Sequence, residues 1–212
     1  MFWLLLLAHL LGDYPLQSDR LVAIKHTQRG LLIHVAIHLM VAVVLAFGRI
    51  AFVWPYLLLL ALLHYAIDVL KNKLNPLFPK AIFPLYLLDQ LLHLLSLLFI
   101  TFLMQQQIKN AWQLPAVWVS HAIGVLLVTH VAYISERIAA HRRPNLQTRI
   151  NATLWPRMLC RLLLFILFIS RWWWFAISAV VLLIAFYLNR GYSRRWMLLD
   201  IGFVAMCAFL LL

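Results

Sequence analysis

Four pairs of side chains able to ligate a metal or carry a proton stand four residues apart in the first half of this chain. They are His9 with Asp13, His34 with His38, His64 with Asp68, and Asp89 with His93. A separation of four puts both members on one helix face, one turn apart. Each pair interrupts a long apolar run, where burying an ionisable group in a bilayer costs roughly 2.5–3.5 kcal/mol, so a segment that merely crossed the membrane would not need it. Nine His and six Asp or Glu scattered at random over 212 residues would give about one such pair, against the four present.

Five His and three Asp suffice for two metal sites of mixed imidazole and carboxylate ligation, as helix bundles hold paired metals with inward-facing groups. The donor mixture suits zinc or iron first and manganese behind them. In this reading His9, Asp13, His34, His38, His64, Asp68, Asp89 and His93 are the ligands, and Asp13, Asp68 and Asp89 supply the catalytic or bridging oxygens. Haem is not expected, because bis-His ligation has no use for recurring Asp partners. The competing account is that polar groups simply hydrogen-bond one helix to another.

The elements that must position these pairs follow from composition. With 66% hydrophobic residues, 11% charged and a mean hydropathy of +0.93, the chain reads as an all-α polytopic membrane bundle. Apolar runs between charged or Pro-rich breaks predict eight transmembrane helices: Phe2–Gln17, Leu31–Phe47, Val53–Leu70, Pro84–Met104, Leu114–Tyr133, Leu154–Ser170, Trp172–Leu188 and Trp196–Leu212. Seven result if the sixth and seventh merge across Ser170, Arg171 and Trp172. The net charge of +12 does not imply nucleic acid, because Lys and Arg fall in the short loops. Alternate loops carry most of them, which predicts a cytoplasmic side and both termini outside. On that topology all four pairs lie in the cytoplasmic halves of their helices, within about one 5.4 Å turn of a common layer.

The pattern divides the chain into a four-helix site bundle, 1–104, and a membrane scaffold, 105–212. Around the mouth of the layer, Lys25, Arg29, Lys71 and Lys73 would form a basic vestibule for an anionic headgroup. Pro15 should end or kink the first helix, and Gly12 should admit a close neighbour. Cys160 and Cys207 read as small buried hydrophobes. The apolar start lacks a positive segment and a small-residue cleavage site, which argues against a removed signal peptide. In the second half His121 and His130 face opposite ways and read as packing residues. The segment with Glu136, Arg137, His141, Arg142, Arg143, Arg149 and Arg157 reads as a solvated or lipid-facing basic loop, and Trp172, Trp173 and Trp174 as an interfacial belt.

The stretch Ala8-His9-Leu10-Leu11-Gly12-Asp13-Tyr14-Pro15-Leu16-Gln17, together with His34, His38, His64 to Lys71 and Asp89-Gln90-Leu91-Leu92-His93, resembles the bacterial membrane proteins of domain-of-unknown-function family 3307. Gly12, where Ala is expected, and Tyr14, where Phe is common, depart mildly from that pattern. The resemblance implies a bacterial inner-membrane setting and no particular reaction. Function therefore rests on the site. The first expectation is a membrane-embedded binuclear metal-dependent hydrolase acting on an anionic lipid or isoprenoid phosphate. The alternatives are a divalent-metal transporter, an iron-dependent lipid desaturase or hydroxylase, and a bundle that a metal merely staples.

Overall fold

The computed structural model describes residues 1–105, 116–170 and 194–211, with the side chains of 194–197 left aside. Every described element is a helix, and the chain forms two compact units, Met1–Val119 and Ser120–Leu212.

In the first unit α1 (Phe2–Asp13) leads through the short α2 (Asp19–Ile24) to α3 (Gln28–Leu45). A 3-10 turn (Phe47–Arg49) then joins α4 (Ile50–Leu77), which is followed by α5 (Ile82–Met104). Each long helix packs on the next, and α5 returns to α1, closing a four-helix ring. As expected, Pro15 stops the first helix: α1 ends at Asp13, and Leu16 N–H bonds back to the Leu11 carbonyl at 3.0 Å. Side-chain caps start the next two helices. Ser18 Oγ accepts from Leu21 N–H at 3.3 Å, and Thr27 Oγ1 accepts from Gly30 N–H at 3.1 Å.

The link between α2 and α3 is so tight that a Cβ on Gly30 would lie 2.1 Å from the Ile24 carbonyl oxygen. Backbone cannot yield as a side-chain tip can, so Gly30→Ala is expected to destabilise the first unit by about 1–3 kcal/mol. Gly48, with nothing within 4 Å of its added Cβ, is the control. A thermal melt in detergent that left both variants equal to the parent would contradict this.

The antiparallel order of the four long helices sorts their residues into layers. Leu5 and Ala8 precede His9 on α1, Ala42 and Ala46 follow His38 on α3, Val53 and Leu57 precede His64 on α4, and Leu97 and Ile100 follow His93 on α5. These apolar residues meet in one buried core at one end of the ring. The polar pairs occupy the next layer. The outward faces carry large apolar side chains such as Leu62, Leu95 and Phe102, which suits contact with lipid.

Among the described residues four helical stretches are long and apolar enough to cross a membrane: Gln28–Leu45, Phe47–Leu77, Ile82–Met104 and Ala116–Ala139. A fifth is added if Pro144–Ala152 and Leu154–Ile169, bent by 60°, count as one broken span. This is the build of an integral membrane protein, with fewer spans among the described residues than the eight expected. The first expected span falls short because Pro15 leaves α1 only 12 residues, or about 18 Å against a hydrocarbon layer of about 30 Å. The apolar part of the last described helix, Leu198–Leu211, is also short. The expected seventh span, the division at Ser170–Trp172, and Trp172–Trp174 lie outside the described residues.

The chain enters the second unit within α6 (Ala116–Leu126), continues through a π-helical turn (Leu127–Val131) into α7 (Ala132–Ala139), and proceeds to α8 (Pro144–Ala152), α9 (Leu154–Ile169) and α10 (Arg194–Leu211). The helices α9 and α10 pack on one another and on the π turn around Val128, Leu164, Phe165, Val204, Cys207 and Ala208.

Candidate functional site

All four pairs meet inside the ring of α1, α3, α4 and α5. His9, His34, His38, His64, Asp68, Asp89 and His93 are each buried to 7% exposure or less. The five imidazoles form a stack whose neighbouring ring centroids lie 4.0–5.6 Å apart.

His34 is the hub. Its Nε2 lies 3.1 Å from Asp13 Oδ1, 3.4 Å from Asp68 Oδ2, 3.2 Å from His64 Nε2 and 2.8 Å from Lys25 Nζ. Asp13 gathers the α1–α3 side, with His38 Nε2 at 3.2 Å from Oδ1, His9 Nε2 at 3.5 Å from Oδ2, and the Gln90 amide donating to Oδ2 at 3.2 Å. Asp68 and Asp89 each have their helical partner nearby, with His64 Nε2 at 3.4 Å and His93 Nε2 at 3.5 Å. Gly12 makes the close approach possible: a Cβ there would sit 2.5 Å from the His38 ring.

The donors fall into three groups of mutually close ligand atoms: Asp13, His34, His38 and His64; His9, His64 and His93; and Asp68, Asp89 and His93. Within the first group three of the six separations are 3.1–3.2 Å, close to the edge of about 3.3 Å of a tetrahedron with metal–ligand bonds of about 2.0–2.1 Å, and all lie within 4.8 Å. Hydrogen bonding also leaves the layer incompletely satisfied. Among the described residues Asp68 Oδ2, Asp89 Oδ1, His34 Nδ1 and both ring nitrogens of His93 have no hydrogen-bond partner. Buried polar atoms left in this way are costly, and a cation bound to the two carboxylate oxygens and to one nitrogen of His93 would relieve three of the five. The residues present therefore fit a divalent metal.

Of the expected vestibule, Arg29 and Lys73 are exposed, whereas Lys25 and Lys71 turn inward. Lys25 Nζ lies 3.1 Å from Asp68, and Lys71 Nζ donates to Asp89 at 2.6 Å and stands over the Tyr86 ring. Each ammonium offsets a carboxylate that would otherwise stand alone in a low-dielectric interior. Three further contacts support the layer. Gln90 bridges Asp13 and Asp89, the Tyr14 hydroxyl meets the Tyr86 hydroxyl at 2.7 Å, and the Asn72 amide donates to the Lys25 carbonyl at 2.9 Å. On the apolar side of the stack a cavity of ≈ 20 Å³ is lined by His9, His38, His64, His93 and Ser96 among Leu and Ala side chains, enough for about one water or ion.

Residues 1–122 match the family model described as "Protein of unknown function (DUF3307)". The chain belongs to that family. No curated protein and no solved structure matches it. The DUF3307 segment contains all eight residues of the layer together with Lys25, Lys71, Tyr86 and Gln90.

A second buried cluster lies beyond the DUF3307 segment. Arg157 and Arg161 on α9 are 4% and 3% exposed, and Asp200 on α10 is 2% exposed. The Arg157 guanidinium donates to both oxygens of Glu136, at 2.7 and 2.8 Å, and to both oxygens of Asp200, at 3.0 and 2.7 Å. Arg161 donates to Asp200 Oδ1 through Nε at 2.9 Å, and its Nη2 reaches both carboxylates. Glu136 and Arg157 thus belong to an internal network of ion pairs and not to a solvated loop. The signal is in the sequence: Arg157 and Arg161 are also four apart in an apolar run, though neither is of a metal-ligand type.

Proposed function

We propose that this protein is a membrane-embedded metal-dependent hydrolase with a binuclear centre in the His/Asp layer, acting on the phosphate of an anionic lipid or isoprenoid. The observation that carries the reading is the gathering of His and Asp donor atoms within 4.8 Å of one another around His34, in a layer where buried carboxylate and imidazole atoms lack hydrogen-bond partners. His9, Asp13, His34, His38, His64, Asp68, Asp89 and His93 would hold the metals, zinc before iron and iron before manganese. Such a pair supplies an activated hydroxide at neutral pH and neutralises charge on the reacting phosphate.

Charge balance supports an anionic substrate. With the imidazoles neutral, Asp13, Asp68 and Asp89 against Lys25 and Lys71 leave one negative charge; two divalent cations would reverse it to an excess of positive charge in a layer that cannot be left uncompensated. A hydroxide and a phosphate restore neutrality. The apolar core on the far side of the layer, from Leu5 and Ala8 to Ile100 and Met104, offers an ion no onward ligands, which weighs against transport. The exposed Arg20, Arg29, Lys73 and Lys80 near the polar end favour placing that end at the cytoplasmic face of a bacterial inner membrane.

The test is elemental mass spectrometry on the protein purified without chelators and reloaded with metal, beside His64→Ala and Asp68→Ala. Two metals per chain, reduced in both variants, are expected, and their identity separates hydrolytic zinc from oxidative iron. No metal above background after reloading would end this reading in favour of a purely structural polar core.

A further inference from the structure

Between the end of α4 and the start of α5 runs a groove walled by aliphatic side chains, among them Leu70 and Leu74 on one side and Leu88 and Leu92 on the other. Lys71 and Asp89 are its two polar lining residues among those described. Both helices are of membrane-crossing length and apolarity, and Leu70 and Leu88 are 43% and 42% exposed, so hydrocarbon is the medium such a surface meets. The groove is not blind. The Lys71 side chain keeps 26% exposure while its partner Asp89 is 2% exposed, and Asp89 Oδ1, on the layer side with His93, has no hydrogen-bond partner. Asp89 is thus shared between the groove and the donor group of Asp68, Asp89 and His93.

We infer that this groove is the lateral entrance for a phosphate-bearing lipid: one hydrocarbon chain lies against the leucines, and the headgroup takes the Lys71 ammonium from Asp89. The inference rests on the reading of the layer as a lipid-phosphate hydrolase and adds where the substrate sits. An anion at Lys71 stands next to Asp89, so the phosphate arrives beside the donor atoms without passing through the apolar core. Lys71 then serves two states, as counter-ion to Asp89 in the resting protein and as headgroup ligand when lipid is bound.

The probe is labelled phosphatidic acid in phosphatidylcholine vesicles containing the full chain, with a benzophenone amino acid in place of Leu88, or of Leu94, which lies on α5 outside the groove. Photolabelling from position 88 is expected to favour phosphatidic acid over phosphatidylcholine by about fivefold, the worth of one lysine near an anionic headgroup. Lys71→Gln should remove that preference, and Leu74→Trp, which narrows the groove, should remove the labelling itself. Equal labelling from positions 88 and 94, indifference to Leu74→Trp, or displacement of the lipid by inorganic phosphate would overturn the inference. Metal content is read on the same samples. Unselective labelling with metals bound ends the groove proposal alone, whereas selective labelling without metal upholds the groove and ends the hydrolase reading.

Discussion

His34→Ala is expected to lower the affinity of the layer for its metals by at least about 100-fold, beyond the 10–100-fold that losing a supporting partner costs. The reason is its position. His34 Nε2 is within 3.1–3.4 Å of Asp13, Asp68 and His64, so it ties together donors from α1 and α4 that have no direct contact of their own within the first group. Its loss removes a ligand and also loosens the carboxylates it spaces. The fold should survive, because Lys25 remains 3.1 Å from Asp68 and His38 remains 3.2 Å from Asp13, leaving neither charge alone. Metal titration of the apo protein, with melting followed in parallel, reads both effects. His26→Ala, at an exposed position on the α2–α3 link, should change neither. A His34→Ala protein with the parent's metal content would show that the imidazoles pack the bundle and do not ligate.

The eight residues of the layer were legible because the signal was local and unusual: spacing of four identifies a helix face, and an ionisable residue in an apolar run has few other reasons to be there. Antiparallel order did the rest. Since α1 and α4 carry their pairs before the polar end, and α3 and α5 after it, similar depths in sequence became one layer in space. Gly12 and Pro15 were readable on the same grounds, as a missing side chain and a missing N–H. The direction of Lys25 and Lys71 was not. A lysine stem is long enough to reach either water or a carboxylate a turn away, and only the positions of Asp68 and Asp89 relative to it decide which. Gln90 and Tyr14 stand in the motifs of the family resemblance, but their contacts were not legible for a related reason: they are made with Asp13 and Tyr86, more than seventy residues away.

Span counting erred where hydropathy ignores backbone chemistry. Phe2–Gln17 is apolar enough throughout, yet Pro15 ends the helix two residues after Asp13. The bounds of the expected Leu154–Ser170 span were nearly right, since α9 is Leu154–Ile169; at 16 residues it is long enough to cross only together with Pro144–Ala152, from which it is bent by 60° at Thr153, whose side chain bonds back to the Arg149 carbonyl at 2.8 Å. The second cluster was missed for the opposite reason. Arg157 reads by position as loop charge, whereas its partners Glu136 and Asp200 lie on other helices, 21 and 43 residues away.

That cluster gives the largest expected effect on stability. Asp200→Ala would strip Arg157 of two acceptor oxygens and Arg161 of its Nε partner, leaving Glu136 as the single carboxylate against two buried guanidinium groups. Breaking a buried ion network from one side typically costs about 3–5 kcal/mol, most of it the penalty of the stranded charge. The melting temperature of the second unit should fall accordingly, while metal content, which depends on residues of the first unit, should stay at the parent's level. Replacing all four members together, with Glu136→Gln, Arg157→Met, Arg161→Met and Asp200→Leu, should recover most of the lost stability, because well-packed apolar residues of similar volume commonly equal a buried ion pair. Recovery would identify the network as a staple holding α7, α9 and α10 in register. If the single variant melts like the parent, water reaches these charges and the network is not the internal structure its burial implies.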